Sequence, residues 1–240
     1  MKFIEVLKRK MENNPDIRTP IIAFLGDSVT QGVFEVYQKD DKMEVVFDST
    51  SAYSEKVKEL LAMLYPTAPV SVVNAGGNGS TAVAGYERLK RDVLAFNPDL
   101  LVVCFGLNDS NRDMEGIDTY KEALRNIFRT AKDANIETIF MTPNMMNTDS
   151  SRVSPGNILE PLAELFAKRQ TEGVFDTYMD AARQVCKEEE ITLCDCYAIW
   201  KNMYECGVNT TNLLSNGLNH PSRKMHELFA WQLVHTILNN

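Results

Sequence analysis

The chain lacks the features that would take it to a membrane or a polyanion. No apolar run among its 240 residues approaches the 18 or more that a bilayer span requires. The opening Met1-Lys2-Phe3-Ile4-Glu5-Val6-Leu7-Lys8-Arg9-Lys10 breaks its apolar residues with charge every two or three positions, so the apolar middle of a secretory leader is missing. Positive charge is scarce too. Lys and Arg number 25 against 33 Asp and Glu, and the net −8 sets up a field that repels nucleic acid and anionic lipid. The five cysteines (104, 186, 194, 196 and 206) are odd in number and scattered, and Cys194-Asp-Cys196 is not C-x-x-C. Reduced, mostly buried thiols in a cytoplasmic protein are therefore expected, with no disulfide framework and no zinc site. No internal repeat, low-complexity tract or Pro/Gly/Ser-rich linker divides the chain.

What is present suits a folded enzyme-sized domain. Hydrophobic residues at 44% and charged residues at 24% match ordinary globular proteins, enough for one core across residues 1–240. Short runs rich in Val, Ile, Leu and Phe read as buried strands at Pro20–Leu25, Val70–Asn74, Leu100–Phe105, Glu137–Met141 and Ile191–Cys194. Segments of helical period lie between and around them. They are Phe3–Met11 (stopping near Asn13-Asn14-Pro15), Tyr53–Leu64, Val83–Val93, Tyr120–Ala131, Val174–Cys186 and a last helix from about Ser222 to Leu238. This alternation predicts an α/β fold with a five-stranded parallel sheet covered on both faces, whose ligand site lies beyond the carboxyl ends of its strands. Two stretches resist the pattern, Val33–Ser49 and Thr142–Ile158. Both are read as long loops, of the kind that wall a pocket or move.

Small polar residues follow the first three strands. Gly26-Asp27-Ser28-Val29-Thr30 reads as a tight turn into a helix that exposes the Ser28 hydroxyl; equally, Asp27 or Ser28 caps that helix. It is not the G-x-S-x-G elbow. Asn74-Ala75-Gly76-Gly77-Asn78-Gly79-Ser80-Thr81 brings backbone N–H groups close to a ligand, for a phosphate or for an oxyanion, and no G-K-[ST] follows to make it a Walker loop. Gly106-Leu107-Asn108-Asp109 offers the Asn108 amide, as a donor over the same edge or as an Asx cap. Of three histidines, His226 and His235 fall inside the last helix and read as packing or surface residues. His220, before Pro221, stands at a loop–helix junction suited to a base.

As a set these motifs resemble the SGNH, or GDSL, hydrolase family. The likeness rests on Gly26-Asp27-Ser28, Asn74 to Thr81, Gly106 to Asp109, and His220-Pro221. It implies a flavodoxin-like three-layer α/β/α sandwich, no cofactor, and hydrolysis of esters, thioesters or carbohydrate acetyl groups. It also implies Ser28 as nucleophile and as one oxyanion donor through its N–H. Gly79 and Asn108 become the further donors and His220 the base. The chemistry is coherent: an imidazole makes serine nucleophilic, and each fixed donor to the oxyanion is worth about 3–4 kcal/mol.

One departure from the pattern is plain. The family's aspartate, three residues before the histidine, is here Gly217, and its neighbours Ser215, Asn216, Leu218 and Asn219 include no carboxylate. Three arrangements stay open: His220 held by a backbone carbonyl or by the Asn216 oxygen, a distant acid such as Asp195, or weak activity. The expected substrate is a small ester with a short acyl or acetyl group, acetylated carbohydrate included. Nucleic acid and membrane are not expected partners. A thioesterase or lysophospholipase-type acyl hydrolase, or a small-anion-binding module of flavodoxin-like fold, are the alternatives.

Overall fold

The computed structural model describes residues 1–12, 16–40 and 42–240. Its strands are β1 (Ile21–Gly26), β2 (Val33–Lys39), β3 (Lys42–Phe47), β4 (Ser71–Gly76), β5 (Leu100–Cys104), β6 (Glu137–Met141) and β7 (Thr192–Cys194). Its α-helices are α1 (Lys2–Met11), α2 (Ser28–Gln31), α3 (Tyr53–Leu64), α4 (Ala82–Asp92), α5 (Ile117–Asp133), α6 (Glu160–Thr171), α7 (Val174–Glu188), α8 (Cys196–Glu205) and α9 (Arg223–Leu238). The five expected strands pair in the order β4-β1-β5-β6-β7, every neighbour parallel, so the fold is the expected α/β sandwich. The expected stop of the first helix at Asn13-Asn14-Pro15 lies outside the described residues.

The pattern that marked the strands is the pattern that buries them. Every residue of β5 is buried, as is all of β1 beyond Ile21, because helices cover the sheet. Helix α3 packs on α9, while α4, α5 and α7 pack in succession. Helix α5 shows the logic of its layer: Tyr120, Ala123, Leu124, Ile127, Phe128 and Ala131 recur at helical spacing and all turn inward. Truncating one such large core side chain to alanine costs about 2–5 kcal/mol, a large part of a typical domain's stability. The site is thus anchored on the least deformable part of the molecule.

Register decides where the motifs meet. Gly26 of β1 aligns with Gly76 of β4 and with Cys104 of β5. The chain therefore leaves three adjacent strands at one level, and the segments beginning at Asp27, Gly77 and Phe105 emerge side by side at the carboxyl edge.

Three segments differ from expectation. Val33–Ser49 is no loop: β2 and β3 form an antiparallel ribbon outside the main sheet, turning through Asp40 in the left-handed region (φ +53°). Only Val33 and Phe34 of this ribbon are buried, and Glu35, Lys39, Lys42 and Glu44 break up its apolar residues, so no long apolar run marks it. Helix α6 turns Ala163, Phe166, Arg169 and Gln170 inward and leaves Leu162 and Leu165 exposed, which blurs its apolar period. Helix α8 is short and buries Cys196, Tyr197 and Trp200. Thr142–Ile158 does run irregularly up to α6, yet residues 142–147 are buried.

Candidate active site

Asp27 sits just before α2, and its Oδ1 accepts from the Val29 N–H at 2.9 Å. It is the helix cap that one reading allowed, and it leaves the next residue, Ser28, at the first helical position. Ser28 Oγ lies 2.9 Å from His220 Nε2, across 192 residues of sequence. Both residues are buried, at 3% and 5% exposure.

The loop carrying His220 is shaped by Asn216. Its Oδ1 accepts from the backbone N–H groups of Leu218, Asn219 and His220 at 2.9–3.0 Å. The irregular segment after β6 braces the same loop. Asn147 N–H donates to the Leu218 carbonyl at 2.7 Å, and Asn144 Nδ2 to the Asn219 carbonyl at 2.9 Å. Asn216 therefore folds the loop and does not touch the imidazole.

The imidazole finds its second partner elsewhere. Nδ1 lies 3.1 Å from the backbone carbonyl of Phe34, on β2. A carbonyl oxygen only accepts, so Nδ1 carries the proton and the neutral ring presents a bare Nε2 to the Ser28 hydroxyl. Of the open arrangements for His220, the geometry matches the carbonyl. Asp195 is committed away from it: its carboxylate takes Arg183 Nε at 2.9 Å, Thr142 Oγ1 at 3.0 Å and the Ala198 N–H at the start of α8. Nor does Gly217 leave room for the family's acid. Its backbone is left-handed (φ +66°), and an added Cβ would lie 2.7 Å from Arg152 Cβ.

Burial pushes His220 down to about 4; the Phe34 carbonyl and the nearby Glu35 carboxylate act the other way. The ring is thus neutral at pH 7, the form able to accept a proton.

The other two motif blocks leave the strands on either side of β1. Asn108 follows β5 and donates through Nδ2 to the Ser80 carbonyl at 3.1 Å, joining the two blocks. It makes no Asx cap. One of its two amide hydrogens is engaged in that bond. Gly79 is left-handed (φ +71°), and nothing stands within 4 Å of where a Cβ would be. Asp109 Oδ1 accepts from the Ala82 N–H at 2.8 Å, fixing the start of α4. Arg88 ties the strand ends themselves, donating to the Ala75 carbonyl at 2.5 Å and the Gly26 carbonyl at 2.8 Å. Arg169 of α6, itself buried, holds the turn after Asn108 through Asp113 and Asn111.

Asp27 and Asp109 are buried carboxylates close enough to feel each other. Burial, and then Asp109, push Asp27 up to about 7, and burial pushes Asp109 up to about 6. His226 is packing, as expected. It is fully buried against the rings of Phe34 and Tyr53, with Nδ1 accepting from the Tyr53 N–H at 3.0 Å. His235 is exposed. Sequence reading missed Phe34, Arg88, Arg169 and Arg223. Phe34 acts through a carbonyl that every residue has, and the arginines act through tertiary contacts, so no local pattern marks them.

A serine hydroxyl thus faces a buried imidazole over the carboxyl edge of a parallel sheet, where such sheets bind their ligands. The family described as GDSL-like Lipase/Acylhydrolase matches residues 24–228. An acetylxylan esterase of Geobacillus stearothermophilus is 25% identical over 223 residues, 87% of this chain and 90% of that one. Among solved structures, a GDSL-like lipase from Parabacteroides merdae superposes with a TM-score of 0.70 at 18% identity, covering 91% of this chain and 95% of its own. A lipase/acylhydrolase from Enterococcus faecalis gives 0.64 at 24% identity, covering 91% and 95%. The chain belongs to the GDSL-like lipase/acylhydrolase family and is a hydrolase of carboxylic esters. That replaces the small-anion-binding alternative. Among the described residues no helix is long and apolar enough to cross a membrane.

Proposed function

We propose that the protein removes short acyl groups, acetyl above all, from small esters such as acetylated carbohydrate, by a Ser28–His220 mechanism. The observation that carries this is the 2.9 Å contact between Ser28 Oγ and His220 Nε2 in a chain of acylhydrolase kinship. The acetyl ester is supported by the acetylxylan esterase relative. One catalytic domain spans residues 1–240 in this reading.

The steps follow from the atoms in place. His220 Nε2 takes the Ser28 proton as Oγ attacks the ester carbonyl carbon. The carbonyl oxygen, now negative, accepts from the Ser28 N–H, the Gly79 N–H and the second amide hydrogen of Asn108. The intermediate then expels the alcohol, which takes the proton from Nε2, and leaves an acyl-serine. A water molecule repeats the cycle and releases the acid. Among the described residues no carboxylate contacts the imidazole, but the Phe34 carbonyl favours the tautomer a carboxylate would. In the serine proteases the wrong tautomer accounts for most of the roughly 10⁴-fold loss when the acid becomes an amide.

The test is a panel of p-nitrophenyl esters from acetyl to octanoyl, with acetylated xylo-oligosaccharide and an acyl thioester alongside. Turnover that is highest for acetyl and drops steeply by hexanoyl supports the reading. Preference for the longer chains or the thioester overturns it.

A further inference from the structure

A backbone carbonyl makes an unusual partner for a catalytic imidazole, because its direction depends entirely on how the surrounding chain is held. Phe34 occupies an irregular place. β2 and β3 pair at Val33 with Phe47 and again at Val36 with Val45, so β2 spends three steps where β3 spends two. The extra residue is a β-bulge containing Phe34 and Glu35, a device that re-aims backbone groups beside sites. Beyond the bulge the ribbon is largely exposed. The main sheet therefore does not fix this carbonyl.

Arg223 does. It opens α9 three residues after His220, so one short segment carries both the imidazole and the guanidinium. Its Cζ lies 4.3 Å from the centre of the Phe34 ring. Nη1 and Nη2 donate to the two carboxylate oxygens of Glu35, at 2.5 and 3.2 Å, the next residue on the bulge. Nε donates at 2.9 Å to Asp48, just past the end of β3. The Asp48 N–H in turn donates to the Gly32 carbonyl at 2.8 Å, closing the base of the ribbon. A single side chain thus joins both legs of the ribbon and covers the Phe34 ring. The His226 ring, on the next turn of α9, packs 4.7 Å from the same phenyl group.

The clamp also arranges charge. Glu35 lies near enough to favour the protonated His220 ring that forms during the reaction. The guanidinium opposes this, and Asp48 on its other side offsets it, leaving the trio with one net negative charge. The orienting role of the absent aspartate thus falls to the Phe34 carbonyl, whose bulge the Arg223–Glu35 pair holds.

We propose that Arg223 is a positioning residue for His220, acting through the Phe34–Glu35 bulge that supplies the imidazole's carbonyl partner. The proposal rests on the Ser28–His220 reading. Its test uses the full chain with p-nitrophenyl acetate, comparing native protein with Arg223→Ala, Arg223→Lys, Ser28→Ala and His220→Ala. Arg223→Ala is expected to lose kcat by about 10²-fold, the scale of a misplaced catalytic group, with KM within about twofold. Millimolar guanidinium is expected to restore part of that kcat, because it refills the gap between Phe34, Glu35 and Asp48. Arg223→Lys keeps the charge but loses the flat stack and the paired bonds to Glu35, so kcat is expected about tenfold down.

Folded Arg223→Ala with native kcat overturns the proposal, and so does a kcat loss that guanidinium leaves unchanged. Should Arg223→Ala fail to fold, Arg223→Lys decides: native kcat overturns the proposal and a tenfold loss supports it. The Ser28 and His220 variants separate the two claims. If both are inactive while Arg223→Ala is native-like, the clamp alone fails. If Ser28→Ala keeps turning over, the clamp falls with the mechanism it serves.

Discussion

His220 Nδ1 and the carbonyl oxygen of Phe34 stand 3.1 Å apart, joined across 186 residues of sequence. This contact brings the outlying ribbon into the site and assigns the imidazole its tautomer. In the proposed mechanism the carboxyl edge of the sheet supplies Ser28, Gly79 and Asn108. The ribbon supplies what the loop before α9, with Gly217 in place of an acid, does not.

The pH profile follows from burial. His220 is held down to about 4, chiefly by desolvation, so its neutral, proton-accepting form persists well below neutrality. The kcat/KM of acetyl-ester hydrolysis is expected to lose activity as pH falls through about 4, with the limb set by protonation of Nε2. A limb near the ordinary histidine value of about 6.5 would show a water-solvated ring instead.

Asp27 gives a stability signature of the opposite sign to a paired carboxylate. Its folded value of about 7 lies above the unfolded one near 3.8, so the native state binds the extra proton. The contribution is fully present below the unfolded value and is lost as pH rises through about 7, at up to about 1.4 kcal/mol per pH unit. Asp27→Asn removes that dependence and keeps an oxygen for the Val29 N–H. Urea unfolding is expected to show the variant gaining on the native protein between pH 5 and 8; a constant difference would contradict this.

Restoring the family's acid by Gly217→Asp is expected to fail. The new residue must adopt a left-handed backbone and push Arg152 aside, a cost of about 1–3 kcal/mol. Thermal unfolding is expected to fall by a few degrees with no gain in kcat.

Two polar variants distinguish the site from its scaffold. Asn108→Ala removes a proposed oxyanion donor and is expected to lower kcat by about 10²–10³-fold with little change in KM. Asp195→Ala, far from the imidazole's contacts, is expected to leave kcat within about twofold. It removes the Arg183 pair and the α8 cap, so it lowers stability by about 1–2 kcal/mol in the same urea assay.

The parts of this molecule that were legible in its sequence are those governed by short-range rules. β5 is apolar at every position, α5 repeats its apolar face, and the strand limits fall within two residues of where the runs begin and end. Gly26-Asp27-Ser28 and Gly106-Leu107-Asn108 stood out because parallel strands deliver their carboxyl-end residues to one edge. Phe34 did not. Its contribution is a carbonyl turned by a bulge, and Glu35, Lys39, Lys42 and Glu44 break up the apolar residues of the ribbon that carries it. Arg223 gave no local sign either, since its partners Glu35 and Asp48 lie more than 170 residues upstream. Gly217 was visible as a missing acid, but only its backbone conformation and the nearness of Arg152 explain why no acid stands there.

The most direct test is where a fluorophosphonate lands. Intact mass and peptide mapping of the labelled protein are expected to show one phosphonyl group on Ser28. Labelling is expected to vanish in Ser28→Ala and to slow by several orders of magnitude in His220→Ala. A native protein that stays unlabelled, a label on another residue, or His220→Ala reacting at the native rate would contradict the Ser28–His220 account.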